Sequence, residues 1–175
     1  MEQQQQPNWC WAAVAVSIHN FLDLTATLTQ GGVATSVLLE DARIPAGVDC
    51  SSTPGLCNYT AALADALRIS GNLRPGGYVP NGHLAFDSLK NWVNANLPVG
   101  ARIVWAGGGA HFIVLDGYRE FVSGARQVHV QDPLYGPSFQ YYDDLVADYP
   151  PGGNWQDTYL VKKDDGMGKA PREAA

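Results

Sequence analysis

The sequence predicts an α+β fold, with a helical N-terminal half packed on a C-terminal antiparallel sheet half. Up to about Leu97, apolar side chains recur at helical spacing; from Ala101 onward, short β-branched and aromatic runs are punctuated by Gly, Pro or Asn. The length of 175 residues suits one domain with a proper core. A composition of 46% hydrophobic and 16% charged residues belongs to an ordinary globular protein.

Asn8 is the expected N-cap of a first helix that places Cys10 in its opening turn and runs to about Leu24. Ala, Val and Ile are dense between Trp11 and Phe21, so this helix is expected to be central and buried. Gly31-Gly32 is read as a break, and Val33 to Leu39 as a short helical stretch leading to the loop CSSTPGLC. Tyr59 to Ser70 carries the next helical pattern and ends at Gly71, before the loop RPGGYVPNG. Leu84 to Leu97 is amphipathic and is stopped by Pro98 and Gly100. The expected strands are Ala101 to Ala106, Phe112 to Tyr118, Arg126 to Gln131, Ser138 to Tyr142 and Asp157 to Val161. From Lys162 the chain has no apolar period. This divides it into a domain over 1–161 and a disordered tail over 162–175.

The formal net charge of -6, with no basic run, argues against a nucleic-acid partner. No apolar stretch approaches the roughly 18 residues of a transmembrane helix. Met1 to Pro7 is too polar for a signal peptide, which fits a trimmed chain or a domain of a larger protein. Cys50 and Cys57 flank a Ser/Pro/Gly loop that can fold back and bring them together, leaving Cys10 over. A reactive thiol plus one loop staple fits that odd count; three reduced thiols in a cytosolic protein is the alternative. With no C-x-x-C pair and four scattered histidines, structural zinc is not expected.

A cysteine attacks as thiolate, and a helix N-terminus or a neighbouring imidazolium favours that form. Cys10, set between Trp9 and Trp11, has the first by position. His19 lies on the opposite face of the same helix, about 13 Å along its axis, and does not reach. His83 falls in a polar loop, and His129 shares a strand face with Gln127 and Gln131. His111 follows Gly107, Gly108, Gly109 and Ala110, small residues that leave room for a substrate or a second backbone, and it shares the interior face of Ile113 and Leu115. The plain alternative is a core histidine satisfied by a carbonyl.

An imidazole that works as a base needs an orienting partner. Asp132 lies on the Val128/Val130 face, where a carboxylate is costly unless paired. Asp116 falls opposite His111, and Asp143 and Asp144 look superficial. Asp132 is therefore the candidate, although DPLYG is also a sound turn sequence. The Cys10 backbone N–H and one of Gln3 to Gln6 are candidate oxyanion donors.

The segments QQQQPNWCWAA, GGGAHFIVLDGY and VHVQDPLYGPS, in this order, resemble the bacterial papain-like cysteine peptidases of the C39 and C70 (AvrRpt2-like) groups. CSSTPGLCNYTAALADAL is similar to a cysteine-bearing stretch of secreted members, and NWVNANLPVGARIVW to the helix and strand before the histidine. The resemblance implies a papain-like fold with its active site between the two halves. It implies Cys10 as nucleophile, His111 as general base and acid, Asp132 as orienting carboxylate and Gln4 as oxyanion donor. Trp11, Gly109, Ala110 and Trp155 are the expected substrate-side neighbours. Asp replaces papain's Asn as third residue and the Cys–His separation is shorter, so papain's specificity does not carry over.

The implied reaction is peptide-bond hydrolysis through a thioester, on a protein or peptide substrate, by a monomer needing no metal or organic cofactor. An acyltransferase or transglutaminase-like amide former uses the same triad, and a non-catalytic peptide-binding module is the reading from another class. A Cys50–Cys57 disulfide implies an oxidising compartment, and the resemblance points to a secreted or effector-delivered bacterial protein.

Overall fold

Helix α1 (Cys10–Leu22) lies at the centre of the computed structural model, which describes residues 1–25 and 27–163. Every side chain from Trp9 to Val16 is buried, as befits a helix that is apolar on all sides. Around it pack α2 (Gln30–Glu40), a 3-10 turn (Pro54–Cys57) and α3 (Leu63–Ile69). The chain then forms β1 (Leu73–Val79), α4 (Phe86–Asn94), β2 (Val99–Trp105), β3 (Ala110–Glu120), β4 (Arg126–Asp132), β5 (Gly136–Tyr141), α5 (Tyr142–Ala147) and β6 (Gly153–Val161). The six strands make one antiparallel sheet in the order β1-β6-β2-β3-β4-β5. The α+β architecture is the one the periodicity predicts.

Strand alternation sends successive side chains to opposite faces, and both faces of this sheet are used. Phe112, Val114, Tyr159 and Val161 pack against α1, α2 and α3. Ile113, Leu115, Val128 and Val130 pack against Phe86 and Leu89 of α4 and Leu145 of α5. The continuous apolar run in β3 is explained by this burial on both sides.

Several boundaries differ from expectation. Gly31 and Gly32 lie inside α2, which Thr29 caps by accepting the Gly32 N–H at 3.1 Å. Gly31 is needed for close packing, because a Cβ there would sit 2.6 Å from Ser51 Cα. The helix expected from Tyr59 starts only at Leu63. The Tyr59 and Thr60 carbonyls accept from Trp11 Nε1 at 3.0 Å and Arg43 Nη1 at 2.8 Å instead of from an amide one turn on. RPGGY, read as loop, is edge strand β1, where Pro and Gly are tolerated. Tyr142 to Ala147 is helical, and β6 begins at Gly153 rather than Asp157. Lys162 is tied to Asn72 by bonds of 2.9 and 3.1 Å. Beyond Lys163, the expected tail lies outside the described residues. Among those residues, no helix is long and apolar enough to cross a membrane.

Cys50 and Cys57 form a disulfide, and Cys10 remains a free thiol. The bridge bears on the start of α1. The Cys57 carbonyl accepts from Trp9 Nε1 at 2.7 Å, and Asn58 bonds both the backbone N–H and the side-chain amide of Asn8 at 3.0 Å. Replacing Cys50 and Cys57 by Ala is expected to lower the unfolding free energy by roughly 2–3 kcal/mol, as loop-closure entropy predicts. Urea denaturation checks this; an unchanged midpoint would make the bridge incidental to stability.

Candidate active site

Cys10 is the first residue of α1. Its N-cap is Trp9, with no side-chain cap bond, because the Asn8 expected there is drawn away to Asn58. The first N–H groups of the helix are thus left without a side-chain acceptor, beside the thiol. Trp9 and Trp11 are wholly buried on either side, and their indole N–H groups bond the Cys57 and Tyr59 carbonyls. The two tryptophans therefore fix how the chain enters the helix.

His111 sits at the start of β3. The turn before it holds Gly108 and Gly109 at φ 94° and 93°, a conformation that favours glycine. The imidazole Nε2 lies 2.9 Å from Asp132 Oδ1, and the ring interacts with Cys10, with which it lines one cleft. Cys10, His111 and Asp132 are 9%, 8% and 2% exposed, so the chain of contacts is largely dry. Burial works to lower the His111 pKa. The bonds to Asp132 and Cys10 overcome that and raise it to about 9. Burial likewise opposes ionisation of Asp132, but its bond to His111 and the Leu134 and Tyr135 N–H groups hold its pKa below 3.8.

Asp132 both ends a turn and pairs with His111. Its Oδ1 caps the turn by accepting from Leu134 N at 2.7 Å and Tyr135 N at 3.0 Å, while also meeting His111. Its Oδ2 accepts from Tyr149 Oη at 2.8 Å, an interaction the sequence reading missed. Burial, followed by that bond to Asp132, raises the Tyr149 pKa and keeps the phenol a donor.

Of Gln3 to Gln6, Gln4 is the one that lines the cleft with Cys10. A second missed residue places it. Gln30 is fully buried; its Oε1 accepts from Gln5 N at 3.0 Å, and its Nε2 donates to the Gln3 carbonyl at 2.9 Å and to Glu2 Oε2 at 3.0 Å. Gln4 is bracketed by these bonds and held further by Gln4 N to the Pro133 carbonyl at 2.9 Å. Its Nε2 donates to the Gln6 and Pro7 carbonyls at 3.1 and 2.8 Å, and its buried Oε1 has no partner. Two carbonyl acceptors fix which end of the amide is nitrogen.

The cleft has a volume of about 690 Å³, and Trp11, Gly109 and Ala110 line it as expected. Trp155 does not. It is 2% exposed in the core between the sheet and α4, with its indole N–H donated to the Asp157 carbonyl at 3.0 Å. The register shift opposite Arg102 and Ile103 interrupts the alternation of β6, so Trp155 falls on the face opposite Asp157 and Tyr159, which do line the cleft. The other histidines lie elsewhere: His19 meets Asn72 Oδ1 at 2.7 Å, His83 packs near Trp155, and His129 meets Asp116 Oδ1 at 2.6 Å.

A helical layer and an antiparallel sheet meeting at a cleft, with a cysteine opening the central helix and a histidine across from it, are the frame of a papain-like cysteine protease. Residues 1–145 match the family model described as papain-like cysteine protease AvrRpt2 (Peptidase C70), and the chain belongs to that family. No curated protein matches the chain. Gln4, Cys10, Gln30, His111 and Asp132 fall inside the matched span, whereas Tyr149 lies beyond it.

Tyr149→Phe leaves the buried Asp132 Oδ2 without its donor and is expected to cost about 1–3 kcal/mol of stability. A carboxylate with a folded pKa below 3.8 contributes stability that is present above that value and lost as pH falls through the folded pKa. Removing a donor to the anion raises that folded pKa, so acid unfolding of Tyr149→Phe should begin at higher pH. Circular dichroism against pH measures the shift, and coincident acid limbs would contradict it.

Proposed function

We propose that the protein hydrolyses peptide bonds with Cys10, His111 and Asp132 as its catalytic triad. The observation that carries this reading is the continuous contact from the Cys10 thiol through His111 to a fully bonded, buried Asp132. Cys10 Sγ, as thiolate, attacks the scissile carbonyl carbon. The resulting oxyanion receives the Cys10 backbone N–H and the Gln4 amide, which exchanges its 3.1 Å bond to Gln6 for the substrate. His111 Nδ1–H gives its proton to the leaving amine as the C–N bond breaks, forming a thioester. Neutral His111 then takes a proton from water, whose oxygen attacks the thioester, and C–S cleavage restores thiolate and imidazolium. Asp132 orients the ring and supports its charge throughout.

No metal or organic cofactor enters these steps. The family kinship is compatible with delivery of the protein as a bacterial effector, and the disulfide suits an oxidising compartment.

His111 is stabilised in its charged form. Its contribution to stability is complete below its ordinary value of 6.5 and is lost as pH rises through about 9. The ring therefore keeps the proton needed by the leaving amine across the neutral range. Iodoacetamide is expected to label Cys10 markedly faster in wild type than in His111→Ala, because the variant lacks the imidazolium beside the thiol. Cys10→Ala should abolish peptide cleavage. Equal labelling rates, or cleavage surviving Cys10→Ala, would sink the assignment.

A further inference from the structure

The helical layer covers only part of the sheet face it packs on. Val114 and Val161 lie beneath it, but Phe112 and Tyr159 line the open cleft, and so do Arg102 and Asp157. They are directly paired across β2 and β6, next to a shift in register between Arg102 and Ile103. Such a bulge re-aims side chains at the rim of a site.

We propose that this floor selects peptides with an acidic side chain close to the scissile bond, received by the Arg102 guanidinium. The inference rests on the peptidase reading and names the substrate class of the same cleft. Asp157 is 3% exposed, with both oxygens used: Oδ1 accepts the Asn81 N–H at 2.9 Å, and Oδ2 accepts from Arg102 Nη1 at 2.9 Å. It has no open position for a cation of the substrate, and it holds the guanidinium in place. The Arg102 side chain is 34% exposed and its remaining N–H groups have no acceptor among the described residues. A rigid fork of donors facing a groove is suited to a carboxylate.

The charge of the cleft points the same way. Its lining includes Arg43 and Arg102, and Asp157, already paired, is its sole carboxylate among the described residues. This local excess of positive charge stands in a chain of formal net charge -6. It favours anionic segments, and most strongly where apolar walls lower the dielectric. Tyr78 and Tyr159, stacked at 5.2 Å, and Val104 provide such walls and room for the stem of a Glu.

A positional-scanning peptide library digested by the wild-type protein and read by mass spectrometry tests this. One position should favour Glu or Asp over Gln or Asn by about tenfold, equivalent to about 1.4 kcal/mol. The ratio should fall with added salt and approach one in Arg102→Gln. Because Arg102→Gln strips a buried carboxylate of its cation, the wild-type profile is decisive by itself, and Arg102→Lys, which keeps the charge, should retain part of the preference. The same library passed over immobilised Cys10→Ala protein reads binding without cleavage. Cleavage with no acidic preference at any position overturns the inference and leaves the peptidase reading standing. Retention of acidic peptides with no cleavage by wild type supports the acidic site and overturns the peptidase reading. Neither retention nor cleavage overturns both.

Discussion

A carboxylate removed from water is tolerable only when its oxygens are met by donors, and Asp132 meets that condition through four groups. The Leu134 and Tyr135 amides, the Tyr149 hydroxyl and the His111 ring converge on it. These donors come from β3, from the turn after β4 and from the segment before β6, so the bonding pattern joins the end of the sheet to His111. The charge kept there raises the His111 pKa despite burial and places an imidazolium beside the Cys10 thiol. Without the surrounding donors, the same aspartate would favour its protonated form and leave the ring neutral.

The other half of the site depends on how the chain enters α1. A buried, apolar helix has no polar surface with which to fix its own start, and here neighbouring segments do so. The disulfide loop and the residues after it bond Asn8, Trp9 and Trp11. Gln30 holds the glutamine-rich leader on both sides of Gln4. The oligoglutamine run is thus a strap with a register. Four identical side chains are chemically equivalent, but only one faces the cleft, because the backbone bonds of its neighbours decide the orientation.

The arrangement leaves a floor of unusual charge. Layering requires apolar residues wherever helix covers sheet, and it frees the uncovered positions for other use. Arg102 and Asp157 occupy such positions as a pair whose carboxylate is spent internally and whose guanidinium is not. The cleft therefore differs in sign from the protein around it.

Local pattern is what the order of residues makes legible. The helical and strand periods, the cysteine at a helix start and the alternation that turns His111 and Asp132 inward are encoded within a few residues of each position, so they were legible as patterns. The edge strand β1 was not, because Pro and Gly suit a loop as well as an edge, and only pairing with β6 decides between them. The early residues of the expected Tyr59 helix were lost to acceptors claimed by Trp11 and Arg43. Trp155 was turned away from the cleft by its place in β6. Tyr149, Gln30 and the Arg102–Asp157 pair carry no local signature at all. Their partners are distant in sequence, so their contacts follow from the folded chain, which sets such groups within hydrogen-bond reach.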